Sequence, residues 1–158
     1  MSENYWGTKV PVGESEAELR GLIERFGANK YGMLENWEEG TLTIMFQYKE
    51  YPIRLDLDIE KIVKVRLEEE PYNNYRRCTE DEYESKIRDQ AKMVGMRVLV
   101  HKVKSDLLAI EYGIMKPEEV FLSHFVTKSG RTVGEEVIPN LLDKLTNPSR
   151  LLSAGRKR

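Results

Sequence analysis

Apolar and polar positions alternate along this chain with periods that change from segment to segment. Leu19, Leu22, Ile23 and Phe26 recur at helical spacing. Ser15 precedes them with Glu18 three residues on, the spacing of a capping box, so a short helix is predicted to start at Ser15 and to stop at Gly27. The period then becomes two. Leu42, Ile44, Phe46 and Tyr48 alternate with Thr41, Thr43, Met45 and Gln47, which predicts a half-buried strand. Beyond a turn near Lys49 and Glu50, and with Pro52 at its beginning, a hairpin partner is predicted. There Ile53, Leu55, Leu57 and Ile59 alternate with Arg54, Asp56 and Asp58. Upstream, residues 31–37 make a third strand, closed by the turn-like Glu38-Glu39-Gly40.

Between Ile62 and Cys78 neither period is evident, and Glu68-Glu69-Glu70-Pro71 reads as a break, so a long exposed loop is expected. Its length alone makes it a candidate site. From about Thr79 a long helix is predicted, with Glu80, Asp81, Glu82 and Glu84 at its positive end and Gly113 as its stop. One stripe holds Met93, Met96, Val100, Val103, Leu107, Ile110 and Ile114. A second holds Ile87, Ala91, Val94, Val98, Leu108 and Tyr112. Two stripes imply a wide buried face, one side on the sheet and the other under the C-terminal segment.

Lys116-Pro117-Glu118-Glu119 restarts a brief helix that carries Val120, Phe121 and Phe125 inward. Ser129-Gly130-Arg131-Thr132 reads as a turn, residues 133–138 fit neither period, and residues 140–145 look like a last helical piece. The fold class is thus α+β: an N-terminal helix, a three-stranded antiparallel meander, a long central helix packed on the sheet, and short C-terminal helices. Residues 1–9 form an N-terminal arm, 10–145 a single domain, and 146–158 a basic C-terminal tail.

Composition supports a folded chain: 40% hydrophobic with 33% charged residues describes a core under a heavily charged surface. The net charge of -2 argues against a surface that is basic all over, as many nucleic-acid-binding domains have. The positive charge is local. From residue 143 onward Lys144, Arg150, Arg156, Lys157 and Arg158 oppose only Asp143. No apolar run approaches the ~18–20 residues of a membrane span, and residues 1–12 lack the pattern of a signal peptide, so no membrane association is expected. Cys78 is the one cysteine, which excludes an internal disulfide and agrees with a reducing, cytoplasmic setting.

The sequence offers few catalytic groups. His101 sits in the apolar centre of the long helix and is read as a packed residue, as is His124 beside Phe125. Cys78, near Arg76 and Arg77, lacks an active-site signature. Asp56 and Asp58 share a strand's wet face, where pairing with Arg54 is the expected role ahead of cation binding. No phosphate-binding glycine loop and no metal motif occur, so no catalytic residue, cofactor or metal is assigned and the balance leans away from an enzyme. Tyr72, Tyr75, Arg76 and Arg77 combine rings able to stack on bases with guanidinium groups able to hold phosphate, and Arg156, Lys157 and Arg158 add backbone contacts. Glu68, Glu69, Glu70 and Glu80 make the local field mixed. Trp6 in the arm is expected to dock on its own domain, or else on a partner protein. An exposed strand edge of the meander would accept a second copy of the chain.

Several segments look familiar as a set. Val10-Pro11-Val12-Gly13-Glu14-Ser15, Glu18, Leu22, Phe26-Gly27-Ala28, Arg97, Glu111-Tyr112-Gly113-Ile114-Met115 and Glu119-Val120-Phe121-Leu122 resemble small uncharacterised proteins encoded by phages, prophages and other mobile elements. The resemblance spans most of the chain and implies a setting, with no catalytic residue to carry over. In that setting the expected function is a non-enzymatic binding or accessory protein of nucleic-acid metabolism, acting on nucleic acid or on a nucleoprotein complex. The alternatives are an anti-defence protein that sequesters or cleaves a nucleotide signal, and a purely protein-protein adaptor that docks through Trp6 and the basic tail.

Overall fold

The computed structural model describes residues 3–73, 75–141 and 145. The basic tail, including Arg156, Lys157 and Arg158, lies outside the described residues. Helix α1 (Glu3–Trp6) and helix α2 (Val12–Arg25) lead into strands β1 (Ala28–Asn36), β2 (Thr41–Tyr48) and β3 (Tyr51–Asp58). Helices α3 (Ile59–Glu69) and α4 (Glu80–Glu111) follow, then α5 (Pro117–Phe121), a 3-10 turn (Leu122–His124) and α6 (Val133–Leu141). The sheet is an antiparallel meander in the order β1-β2-β3, as expected.

The alternation in β2 and β3 places Leu42, Ile44, Phe46, Ile53 and Leu55 in the core, facing Met96, Leu99, Val100, Val103 and Leu107 of α4. Leu19 and Ile23 of α2 and Phe121 of α5 close the same cluster. Lys49 adopts φ 52° in the β2–β3 turn, where the tight connection demands a left-handed residue. Gly27 at φ 98° ends α2 as anticipated.

The start of α2 differs from expectation. The helix begins at Val12 with Pro11 as its N-cap, and no side chain caps it. Ser15 is one turn inside, fully buried, and its backbone N–H donates to Pro11 O at 3.1 Å. Ser15, Leu19 and Ile23, four apart, form the packed stripe. Glu18 instead accepts from Arg97 of α4 at 2.6 Å, and that hydrogen bond holds its carboxyl below the ordinary carboxylate range.

The expected long loop from 62 to 78 is mostly helix. Asp58 caps α3 by accepting from Lys61 N at 3.0 Å, so the last strand residue is also the first helix signal. Ile59 and Val63 lie in a second cluster with Tyr83, Ile87 and Ala91 of α4. Arg66 pairs with Glu69 and Glu70, which lets the acidic run continue the helix. Leu57 touches both clusters and joins them.

Helix α4 therefore takes its second cover from α3, with α1 and α2 beside it, and among the described C-terminal residues it is α5 that reaches it, through Phe121. Of the predicted second stripe, Val98, Leu108 and Tyr112 are exposed, and so is Ile114 of the first. Thr79 and Glu82 form the reciprocal cap that starts α4, and Gly113 at φ 70° follows its end. Residues 133–138 are helical because Thr132 and Glu135 cap each other's backbone N–H groups at 3.2 and 2.6 Å. Of the expected last helical piece, residues 140–141 belong to α6, and residues 142–144 lie outside the described residues. None of the described helices is long and apolar enough to cross a membrane.

Candidate nucleic-acid interface

The segment between α3 and α4 is short and tied down by its tyrosines. Tyr83, on the first turn of α4, is buried and donates its hydroxyl to Glu70 O at 2.7 Å. Tyr72 packs beside it, ring centroids 5.9 Å apart, and donates its hydroxyl to Cys78 O at 2.9 Å. These two bonds fasten both ends of the segment, since a buried hydroxyl must find an acceptor and a backbone carbonyl supplies it.

On this platform the Arg76 guanidinium lies over the Tyr83 ring, 4.1 Å from its centroid. Its Nε is buried without a hydrogen-bond partner, so the ring face holds the side chain where no carboxylate does. Arg76, Arg77, Cys78, Tyr83 and Lys86 line an open cleft of about 370 Å³. Arg77 and Lys86 are exposed and have no ion-pair partner among the described residues. Tyr75, the residue before Arg76, is 97% exposed and does not itself line the cleft.

The acidic flanks are partly consumed. Glu69 and Glu70 engage Arg66, and Glu82 accepts from Thr79 N at 3.0 Å. These acids therefore make their contacts away from Arg77 and Lys86.

The structure divides the predicted site residues. Arg76 and Arg77 line the cleft together and Tyr75 is exposed next to them in the chain, while the Tyr72 ring is half-buried and its hydroxyl committed, so it serves as a prop and not as a stacking surface. Lys86 joins from α4 and was missed; the signal was its place three residues after Tyr83, on the same end of the same helix. Trp6 docks on its own chain, half-buried, with Arg66 4.7 Å above its ring and Gln90 donating to its carbonyl at 2.6 Å.

The other candidates lie apart from this cleft. His101 is exposed, contrary to its expected packing, with its ring edge-on to Tyr5 at 5.6 Å. The helix turns it away from the sheet, onto the side left over between α1 and solvent. His124 is half-buried, and desolvation, aided by Lys102, holds its pKa below the ordinary imidazole value. Asp56 pairs with Arg54 at 2.8 Å, whereas Asp58 is the cap of α3. Among the described residues no group of three or more histidine, cysteine or acidic side chains is arranged to hold a metal. No protein-family model, curated protein or solved structure matches the chain.

Proposed function

We propose that this chain is a non-enzymatic binding or accessory protein of phage or mobile-element nucleic-acid metabolism that contacts a single strand through the α3–α4 cleft. Arg76, Arg77 and Lys86 hold phosphates and Tyr75 stacks on a base. The observation that carries this reading is the position of Arg76 on Tyr83, in a cleft shared with Arg77 and Lys86, which have no ion-pair partner among the described residues. A guanidinium already held in place loses little freedom when it takes up a phosphate.

The acids beyond the cleft, Glu80, Asp81 and Glu84, restrict the contact to a few nucleotides, because a longer polyanion would run against them. The test is a titration of a fluorescent single-stranded oligonucleotide across a salt series. Binding should weaken with salt, with a log-log slope of about -2 for three phosphates at ~0.7 counterions each. Absence of binding at low salt would remove the proposal.

The small cleft also favours a second reading, capture of a free nucleotide signal. It predicts that a mononucleotide or cyclic dinucleotide raises the melting temperature by ligand linkage, and an unchanged melting curve across such a panel would dismiss it.

A further inference from the structure

We propose that a second copy of this chain docks antiparallel along the exposed C-terminal half of α4. The helix is covered unevenly. Tyr83, Ile87, Ala91 and Val94 in its first half are buried. In its second half Val98, His101, Ser105, Leu108 and Tyr112 stand outward, and the apolar ones are 46%, 43% and 77% exposed in the order Val98, Leu108, Tyr112. They advance in alternating steps of three and four, the spacing of a seam between two helices. Neighbouring elements flank the seam and leave it open from Ser105 onward, while at its start Tyr5 of α1 sets its ring edge-on to His101. Leu22, Arg25 and Phe26 of α2 border the side of Lys104 and Glu111, and His124 faces the opposite side, near Lys102 and Asp106.

The seam is self-complementary in one register. With a two-fold axis midway between residues 106 and 107, Ser105 meets Leu108 of the second copy and His101 meets Tyr112. A small side chain therefore faces a large one, and one ring faces another. Lys104 and Glu111 share one flank; neither has an ion-pair partner among the described residues, though Lys104 lies near enough to Glu18 of α2 to help hold that carboxyl down. In this register Lys104 faces Glu111 of the second copy, twice by symmetry. The adjacent register, with its axis at residue 103, would instead set Lys104 against Lys104 and Lys102 against Lys102. Charge thus selects the register as flanking residues do in helix pairs. The N-terminal ends of the two α4 helices would then stand about 80 Å apart at 1.5 Å per residue, placing the clefts at opposite ends of the dimer.

Sedimentation velocity of the full chain from about 1 to 200 µM tests this. The wild-type chain should pass from monomer to dimer within that range. Leu108→Glu should weaken the dimer at least ~10-fold by placing a charge in the seam. Lys104→Glu should weaken it ~3- to 10-fold, and the double exchange Lys104→Glu with Glu111→Lys should restore it. Circular dichroism of each variant verifies that the helix content is retained. A chain that stays monomeric to about 200 µM overturns the proposal and leaves the face to another protein. A dimer indifferent to Leu108→Glu, or a double exchange no tighter than Lys104→Glu alone, overturns it equally.

Discussion

The guanidinium of Arg76 rests on the ring of Tyr83, whose hydroxyl is bonded to the carbonyl of Glu70. The ring and the hydroxyl do separate work, so two substitutions separate them. Tyr83→Phe keeps the ring and loses one hydrogen bond, and should lower stability by about 1 kcal/mol while oligonucleotide affinity holds. Tyr83→Leu removes the platform beneath Arg76 and should reduce affinity several-fold, in keeping with the ~0.5–2 kcal/mol of a cation–ring contact. Equal affinities for the two variants would show that the stacked arginine plays no part in binding.

Ser15→Ala separates two accounts of the start of α2 by sign. As a cap, Ser15 would be worth about 1 kcal/mol and alanine would destabilise. In the structure its hydroxyl is buried with no hydrogen-bond partner inside the helix, so alanine, the better helix former, should stabilise the chain by about 0.5–1 kcal/mol. Chemical denaturation of the two proteins decides between them.

The same position shows how far the sequence can be read. The meander was legible because β2 and β3 keep one face dry, and period two survives wherever burial is one-sided. Helix α4 was legible from its acidic first turn and its terminal Gly113. Helix α3 was not, because its cap, Asp58, is also a strand residue, and three successive glutamates masked the spacing of Ile59, Ile62, Val63 and Leu67. The misreading of His101 has a related cause. Apolar neighbours on both sides suggested burial, whereas a helix covered by the sheet and by several separate helices leaves a strip uncovered between them. Of the site, Tyr75, Arg76 and Arg77 were visible as a local cluster. The parts supplied from across the turn, Tyr83 and Lys86, depend on the angle at which α4 leaves it.

Gly95 is where α4 approaches the junction of the two clusters. A β-carbon there would meet Leu57 Cδ2 at 2.7 Å and Ile62 Cδ1 at 3.2 Å. Gly95→Leu should therefore overpack the junction and cost about 1–3 kcal/mol, despite the higher helix propensity of leucine. An unchanged melting temperature would show that α4 does not lie so close to β3 and α3.

His124 gives stability a pH dependence. Its folded-state pKa is lowered by burial and by Lys102, with Asp106, the Arg54 backbone and Asp56 opposing. The unfolded chain then binds the proton more readily, so the stabilisation is fully present above the unfolded value of about 6.5 and is lost as pH falls toward the folded value. The midpoint of urea unfolding should fall on acidification below that value, and His124→Gln should flatten that part of the profile. Parallel profiles for the two proteins would count against a half-buried neutral imidazole.

The proposed binding surface is the α3–α4 cleft, whose Arg77 and Lys86 have no ion-pair partner among the described residues. Reversing these two charges on the exposed rim, Arg77→Glu with Lys86→Glu, leaves the buried contacts of Tyr72 and Tyr83 intact. Fluorescence anisotropy with a labelled single-stranded oligonucleotide at low salt should then show affinity lowered at least ~10-fold, with an unchanged melting temperature. An oligonucleotide that binds the reversed variant as tightly as the wild-type chain would contradict the account.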